Sequence, residues 1–142
     1  MKAPAVDIAA YLSDSNHGYE LGANMFISRQ PNSPSKCITL YDSSSAPPMD
    51  TLDGVETYFE ETVQIIVRDI AYESAYATCR ALISALHGIR NLQTEESRYL
   101  RISLVSGPIQ LSFAGTGAEG FGDKIQFSIN FGILRTPQSQ QS

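Results

Sequence analysis

The stretch Tyr58–Gly88, YFEETVQIIVRDIAYESAYATCRALISALHG, decides the fold because its hydrophobic period changes once along its length. From Tyr58 to Arg68 the residues alternate, with Val63, Ile65 and Val67 on one side. This period of two is typical of a strand that buries one face. A strand is therefore predicted from Tyr58 to Arg68.

Beyond this strand, apolar residues recur at three- and four-residue steps, the spacing of a helix with one buried stripe. The stripe consists of Tyr72, Ala75, Cys79, Leu82 and Leu86, with Tyr76 and Ile83 beside it. Asp69 is expected to cap the helix, since its carboxylate can accept hydrogen bonds from first-turn amides. Gly88 is expected to end it, with His87 in the last turn, where a cation is favoured. The pattern predicts a helix of about 17 residues packed on a sheet.

The composition indicates one globular domain. The chain has 142 residues, of which 42% are hydrophobic, and two separate cores would be hard to fill at this length. No apolar run approaches the ~20 residues of a membrane-spanning helix. Met1–Asp7 lacks the apolar core of a signal peptide, which predicts a protein that is not exported. Cys37 and Cys79 are expected to be buried thiols rather than a disulfide.

The charge balance argues against direct binding of nucleic acid. The sequence has 10 Lys and Arg against 15 Asp and Glu, a net charge of −5, and its basic residues occur singly. Binding to phosphates needs several cations on one face. The cluster Asp50–Glu61 is mildly acidic, and it is interpreted either as a solvated loop or as a surface that repels DNA.

The remaining segments predict an α+β fold. A helix is predicted at Pro4–Leu12, and the further strands at Leu21–Arg29, Cys37–Asp42, Tyr99–Val105 with its continuation Ile109–Phe113, and Lys124–Leu134. The order α-β-β-β-α-β-β gives a mixed or antiparallel sheet of about five to six strands packed by two helices. Residues 1–135 are expected to form the domain, and residues 136–142, which lack an apolar anchor, a flexible tail.

Two features allow two interpretations each. Ser43–Thr57, with three serines and Pro47-Pro48, is too polar for the core, and a long loop of this kind is either functional or simply mobile. Tyr58 and Ile66 point away from the buried face of their strand. They form an exposed apolar patch if the sheet is covered on one side only, or lie beneath the Pro4–Leu12 helix if it is covered on both.

The sequence shows no sign of catalysis. Gly115–Gly120 has the spacing of a dinucleotide-binding loop, but a strand follows it instead of a helix, and Glu119 would repel phosphates. It is interpreted as a flexible tip between two strands. His17 and His87 fit no metal-ligand spacing. No enzyme, cofactor or metal site is predicted.

Two segments carry a family resemblance. Asn24–Pro48, NMFISRQPNSPSKCITLYDSSSAPP, contains a Pro-x-x-Pro turn, a Cys-Ile-x-Leu-Tyr-Asp strand and paired prolines. Glu60–Leu82, EETVQIIVRDIAYESAYATCRAL, contains a Val-Gln-Ile-x-Val-Arg strand followed by a Tyr-Glu-x-Ala-Tyr helix. Both resemble, in the same order, the minor capsid or tail-completion (tail terminator) proteins of long-tailed bacteriophages.

The resemblance implies a structural virion protein, assembled in the host cytoplasm and located in the tail or neck. Such proteins form a ring, usually of six subunits, on the tail tube, stop tube growth and join the head connector. No cofactor is involved, and genomic DNA passes through the lumen without specific binding. Alternatives are a neck or connector ring, a tail-tube subunit, or, in a different class, a small monomeric adaptor with an apolar pocket.

On this interpretation, the polar loop and the glycine-rich tip supply the contacts. The predicted interface residues are Pro47, Pro48, Asp50, Asp53, Glu56, Tyr58, Gly117, Glu119 and Phe121. Asp50, Asp53 and Glu56 are further predicted to face the lumen, where negative charge repels passing DNA.

Overall fold

The structure, a computed structural model, describes residues 1–14, 17–50, 52, 54, 57–112 and 124–138. This part of the chain contains two helices and seven strands. In chain order they are α1 (Pro4–Asp14), β1 (Met25–Ile27), β2 (Cys37–Ser45), β3 (Met49–Asp50), β4 (Thr57–Asp69), α2 (Tyr72–Leu86), β5 (Leu92–Gln93), β6 (Ser97–Ser112) and β7 (Ile125–Pro137). Neither helix is long and apolar enough to cross a membrane.

The strands form one mixed sheet in the order β1-β2-β4-β7-β6-β5, with β3 paired to β4 on the same side as β2. β1 and β2 are parallel, and the other paired strands are antiparallel. The predicted α+β fold is thereby confirmed. β3 and β5 are additional to the prediction, because a strand of two residues is too short to show an alternation in the sequence.

Both helices pack on one face of the sheet, since α1, α2 and the inward row of β4 share a single core. Val63, Ile65 and Val67 are at most 1% exposed. The alternate residues of the predicted strand Lys124–Leu134 are also buried: Ile125, Phe127, Ile129, Phe131 and Ile133. α2 buries Ala75, Cys79, Leu82 and Leu86. Cys37 and Cys79 are buried, unpaired thiols, as predicted.

The opposite face, which we call the helix-free face, carries the other alternate residues of β4. Ile66 lies on it and is nevertheless only 8% exposed. Its cross-strand neighbours Thr39 and Ser128 are buried as well. Ile66 is therefore neither exposed nor covered by the first helix, which packs on the other face, and that expectation is wrong.

The start of α2 also differs from the prediction. The N-cap residue is Ala71, without a side-chain hydrogen bond. Asp69 Oδ1 instead accepts the amides of Ile70 and Ala71 at 2.7 and 3.3 Å, so it orders the turn before the helix. Tyr72 and Tyr76 are 52% and 41% exposed. Their rings lie against Phe127 at the border of the core.

β6 is one long strand rather than two segments separated at Gly107. Register shifts interrupt its pairing with β7, the first between Tyr99 and Arg101. A bulge of this kind moves the following side chains to the other face. Tyr99 and Ile102 are therefore buried together. The alternation of this strand predicts Leu100, Ile102 and Leu104 on one face; Ile102 and Leu104 do face the core, and Leu100 is displaced from it.

The two ends of the sheet differ in what they carry. At one end, the arm end, β4 begins and β7 ends; at the other, the loop end, β4 ends and β7 begins. β7 reaches Pro137, and the Gln138 amide donates to the Glu96 carbonyl at 2.9 Å. The first residues of the predicted tail thus belong to the arm end, and residues 139–142 lie outside the described residues.

Candidate assembly interface

An extended arm is built from the C-terminal half of β2, β3 and the N-terminal half of β4; we define it as residues 42–50 and 57–62. Residues 42–50 are exposed throughout. Met49 is 44% exposed, and Leu52 beyond it is fully exposed. Thr57 Oγ1 donates to Asp50 Oδ1 at 2.7 Å, which ties the two sides of the arm together.

The structure places four of the predicted interface residues on this arm. Pro47, Pro48 and Asp50 are exposed, and Tyr58 is half-buried opposite Met49. The other predicted positions, Asp53, Glu56, Gly117, Glu119 and Phe121, lie outside the described residues. The strands that flank residues 113–123 end at the loop end. The two predicted interface segments therefore adjoin opposite ends of the sheet.

A buried charged cluster fixes the base of the arm. Arg135 Nε donates to Glu61 Oε1 at 2.6 Å, and its Nη2 donates to Glu61 Oε2 at 3.2 Å. Arg135 Nη1 donates to the Lys2 carbonyl at 2.5 Å and lies 3.7 Å from Asp7 Oδ2. The Tyr99 hydroxyl donates to Asp7. The cluster thus joins the arm, β7, β6 and α1.

The charges in this cluster are well compensated. Burial lowers the pKa of Arg135, but the hydrogen bond with Glu61, the negative charge of Glu61 and the hydrogen bond with Tyr99 outweigh it, so the pKa is raised. Burial and the hydrogen bond to Asp7 raise the pKa of Tyr99. Paired in this way, the guanidinium stays charged and the phenol stays protonated.

A second buried arginine organises the loop end. Arg68 is 4% exposed, and its guanidinium donates to the carbonyls of Pro31, of Pro34 at 2.5 Å and of Ser35 at 3.3 Å. The Val-Arg ending of one motif therefore holds the Pro-x-x-Pro turn of the other. This contact gives the two motifs a physical reason to occur together.

An exposed apolar row lies on the C-terminal half of β6. Val105, Ile109 and Leu111 are 64%, 49% and 47% exposed. The sequence does not predict this row, because Ile109 and Leu111 fit a buried strand. The register shifts of β6 turn it outward, and only the shift at Gly107-Pro108 has a signal in the sequence.

The centre of the helix-free face is polar and uncharged. Gln64 Nε2 donates to Ser128 Oγ at 2.9 Å, and Asn130 Nδ2 donates to Ser106 Oγ at 3.1 Å. These bonds link β4, β7 and β6 side by side. The side chains satisfy one another, which leaves a surface without strong attraction for an anionic polymer.

Charge is distributed unequally between the ends. Exposed acidic residues at the arm end include Asp50, Glu60, Glu95 and Glu96, with the exposed Lys2 and Arg101 and the half-buried Arg98 nearby. At the loop end Lys36 is 66% exposed beside Asp69, and Lys124 Nζ donates to the Asn32 carbonyl. The two ends thus differ in the charged residues that they expose.

No ligand site is evident in the described part of the chain. It contains no group of three or more His, Cys, Asp or Glu residues that would hold a metal ion. A cleft of about 330 Å³ is lined by His17, Lys36, Cys37 and Arg68 among others. Small-molecule sites are lined mostly by apolar side chains, and this lining, with its charged groups, does not resemble one.

Comparison with known proteins identifies the family. Residues 12–131 match the family described as bacteriophage tail terminator protein, and these residues include both motifs and most of the sheet. The chain belongs to this family. No curated protein sequence matches it. The fold is similar to that of a chain in the virion of a native gene transfer agent particle, with a TM-score of 0.62, 13% identity, and coverage of 96% of this chain and 99% of that one.

Membership of the tail terminator family makes this a structural protein of the phage virion, located in its tail or neck. The resemblance noted in the two motifs is thereby confirmed. The described residues expose three features: an arm, an apolar row on β6 and two ends of different charge.

Proposed function

We propose that the protein forms a ring of six copies, the number implied by the family resemblance noted above. The ring caps the tail tube, ends its polymerisation and joins the tail to the head connector. The match of residues 12–131 to the tail terminator family carries this proposal. Its partners are further copies of itself, the tail-tube protein and a connector or neck protein. No catalytic step is required.

The fold supports an arrangement with separate lateral and axial contacts. The exposed arm and the exposed row on β6 lie on the sides of the sheet, and the two differently charged ends lie above and below. A closed ring uses heterologous lateral contacts between copies. The ends then remain available for the tube on one side and the connector on the other.

We also propose that Asp50, Asp53 and Glu56 lie at the rim of the lumen at the arm end. Asp50 pairs with Thr57 and so shares the face of the helices, but at the rim its charge still acts on DNA that enters the lumen. Negative charge there repels DNA and allows it to pass without being held. Replacing all three by Lys should slow DNA ejection from particles whose rings have assembled. Glu73→Lys, a charge reversal on the exposed side of α2, is the control. Ejection at the wild-type rate in the triple variant would refute the lumen placement.

The ring is tested by adding the purified protein to growing tail tubes. The mass of the protein is measured across a concentration series, with and without preformed tubes, and tube length is measured by electron microscopy. We expect rings on tube ends and tubes that stop growing. Tubes that grow as they do without the protein would refute the proposal, and rings found only on connectors would favour a neck protein.

A further inference from the structure

The arm has an uncovered lateral edge. β1 pairs with β2 only at Ile38–Leu40, near the loop end. Within the described residues, no strand lies beside the outer edge of the arm, residues 42–50. Unpaired edges of this length are sites where another chain can be added.

The opposite lateral side has a matching gap. β5 pairs with β6 only at Arg98 and Tyr99, near the arm end. The Leu104 amide donates a hydrogen bond to His87 Nδ1 at 2.9 Å, so it does not pair with a strand. From Val105 to Ile109, no strand in the described sheet pairs with the outer edge of β6. The two gaps therefore lie at diagonally opposite corners of the sheet. One is at the arm end beside β2, and the other is at the loop end beside β6.

Apolar side chains in both gaps point to the helix-free face. Met49 pairs with Tyr58, which shares that face with Ile66. Ile109 pairs with Ser128, and a methyl of Val105 lies 2.9 Å from where a Cβ on Gly132 would be. Bulges and Pro108 interrupt this edge of β6, so contact through side chains is favoured over a continuous ladder of hydrogen bonds.

The offset between the gaps fits a closed ring. The middle of the arm is level with Leu134 on β7, and the middle of the β6 gap is level with Ile129. At about 3.4 Å per residue, these levels differ by about 17 Å along the strands. Across the strands, β2, β4, β7 and β6 give each copy four spacings of about 4.8 Å, or about 19 Å. A lateral neighbour therefore meets the gap when strands tilt by about 40° to the ring axis, as in closed barrels.

The handedness then selects the face that lines the lumen. β4 and β6 are parallel and joined through α2, a connection that is right-handed in nearly all proteins. When the sheet is viewed from the helix side with β4 running upward, β6 lies to the right of β4. The arm is then at the lower left and the β6 gap at the upper right, so a neighbour on the right is displaced upward along the strands. When these neighbours are brought to the same height in a ring, the strands seen from the helix side slope upward to the right. Strands have this slope when a barrel is viewed from outside, because of their right-handed twist. The helices are outside, and the helix-free face is inside.

We infer that neighbouring copies join laterally, with the arm of one packed against the Val105–Ile109 edge of the next, and that the polar helix-free face lines the lumen. The inference rests on the proposed ring and specifies its seam. The partner is a second copy because both surfaces face sideways, and a tube or connector stacked on the ring would contact the strand ends.

A cysteine pair tests the seam directly. In the variant Met49→Cys/Val105→Cys, oxidation of rings on tube ends should give a ladder of covalent oligomers on a denaturing gel. Within one chain the two positions are separated by β4 and β7, too far apart for a disulfide. The control pair Met49→Cys/Ile70→Cys should give no ladder. Rings that form without a ladder in the first variant overturn the seam and leave the proposed ring intact.

A matched pair of single variants gives an independent test. Val105→Lys should raise the concentration needed for assembly at least tenfold, because it buries a charge in the seam. Ile70→Lys, a similar change at a residue 57% exposed, should shift it less than twofold. Equal effects, or a larger effect of Ile70→Lys, would overturn the seam. Failure of the wild-type protein to form any ring would overturn the proposed function and the seam with it.

Discussion

Replacing Arg135 by Gln should strongly destabilise the protein, because it leaves two carboxylates without their cation. The guanidinium is 4% exposed and binds Glu61, 13% exposed, through two hydrogen bonds. It also lies 3.7 Å from Asp7, which is 7% exposed. Gln keeps much of the length of the side chain but supplies no positive charge.

The size of the effect follows from burial. Removing one partner of a buried ion pair costs about 3–5 kcal/mol, since the remaining charge is left uncompensated. Small domains have a free energy of unfolding of about 5–15 kcal/mol. Arg135→Gln should therefore remove a large share of the stability and loosen the contact of α1 with the base of the arm.

Urea unfolding followed by circular dichroism measures this loss. Arg101→Gln, on the exposed side of β6, should stay within about 0.5 kcal/mol of the wild type. The double variant Arg135→Met/Glu61→Met should recover part of the loss, because it removes both members of the closest pair. A loss below about 1 kcal/mol in Arg135→Gln, the value of a surface pair, would refute the role of this cluster.

Three further predictions concern stability. Arg68→Lys should cost about 2–4 kcal/mol, because an ammonium cannot replace the planar fork that binds three carbonyls. Gly107→Ala should cost at least about 2 kcal/mol, since φ is +108° and the new Cβ would lie 2.5 Å from the Ser128 carbonyl. Stability should fall as the pH rises above about 9, because burial raises the pKa of Cys79 from 9.0 to about 12; the unfolded thiol then ionises first and draws the equilibrium toward unfolding.

Each of these has a matched control in the same urea assay. Arg80→Lys, on the exposed side of α2, should have no measurable effect, and equal losses in both arginine variants would contradict the role of Arg68. Gly88→Ala has a similar φ of +90° but no atom within 4 Å, so it should cost less than Gly107→Ala. Cys79→Ala should flatten the slope between pH 9 and 12, and an unchanged slope would show that Cys79 does not cause it.

The sequence determined the parts of the fold whose periodicity is local. β4 and β7 follow from apolar residues at every second position, and α2 follows from apolar residues at steps of three and four. Burial of one face imposes these periods on each element separately. The two motifs also determined the family. The position of Arg135 also carries a signal in the sequence. It continues the inward row of β7 two positions after Ile133, where a charge needs a buried partner.

The tertiary structure decided what depends on pairing between distant segments. The register shifts that expose Val105 and Ile109, the contact of Arg68 with the turn at Pro31–Ser35, and the offset of the two open edges all arise between residues far apart in the chain. No local period records them, since the free energy of each belongs to two strands at once. The chain alone therefore determines which segments become the main helices and strands, and the folded sheet determines which side chains are turned outward and which edges remain open to a neighbour.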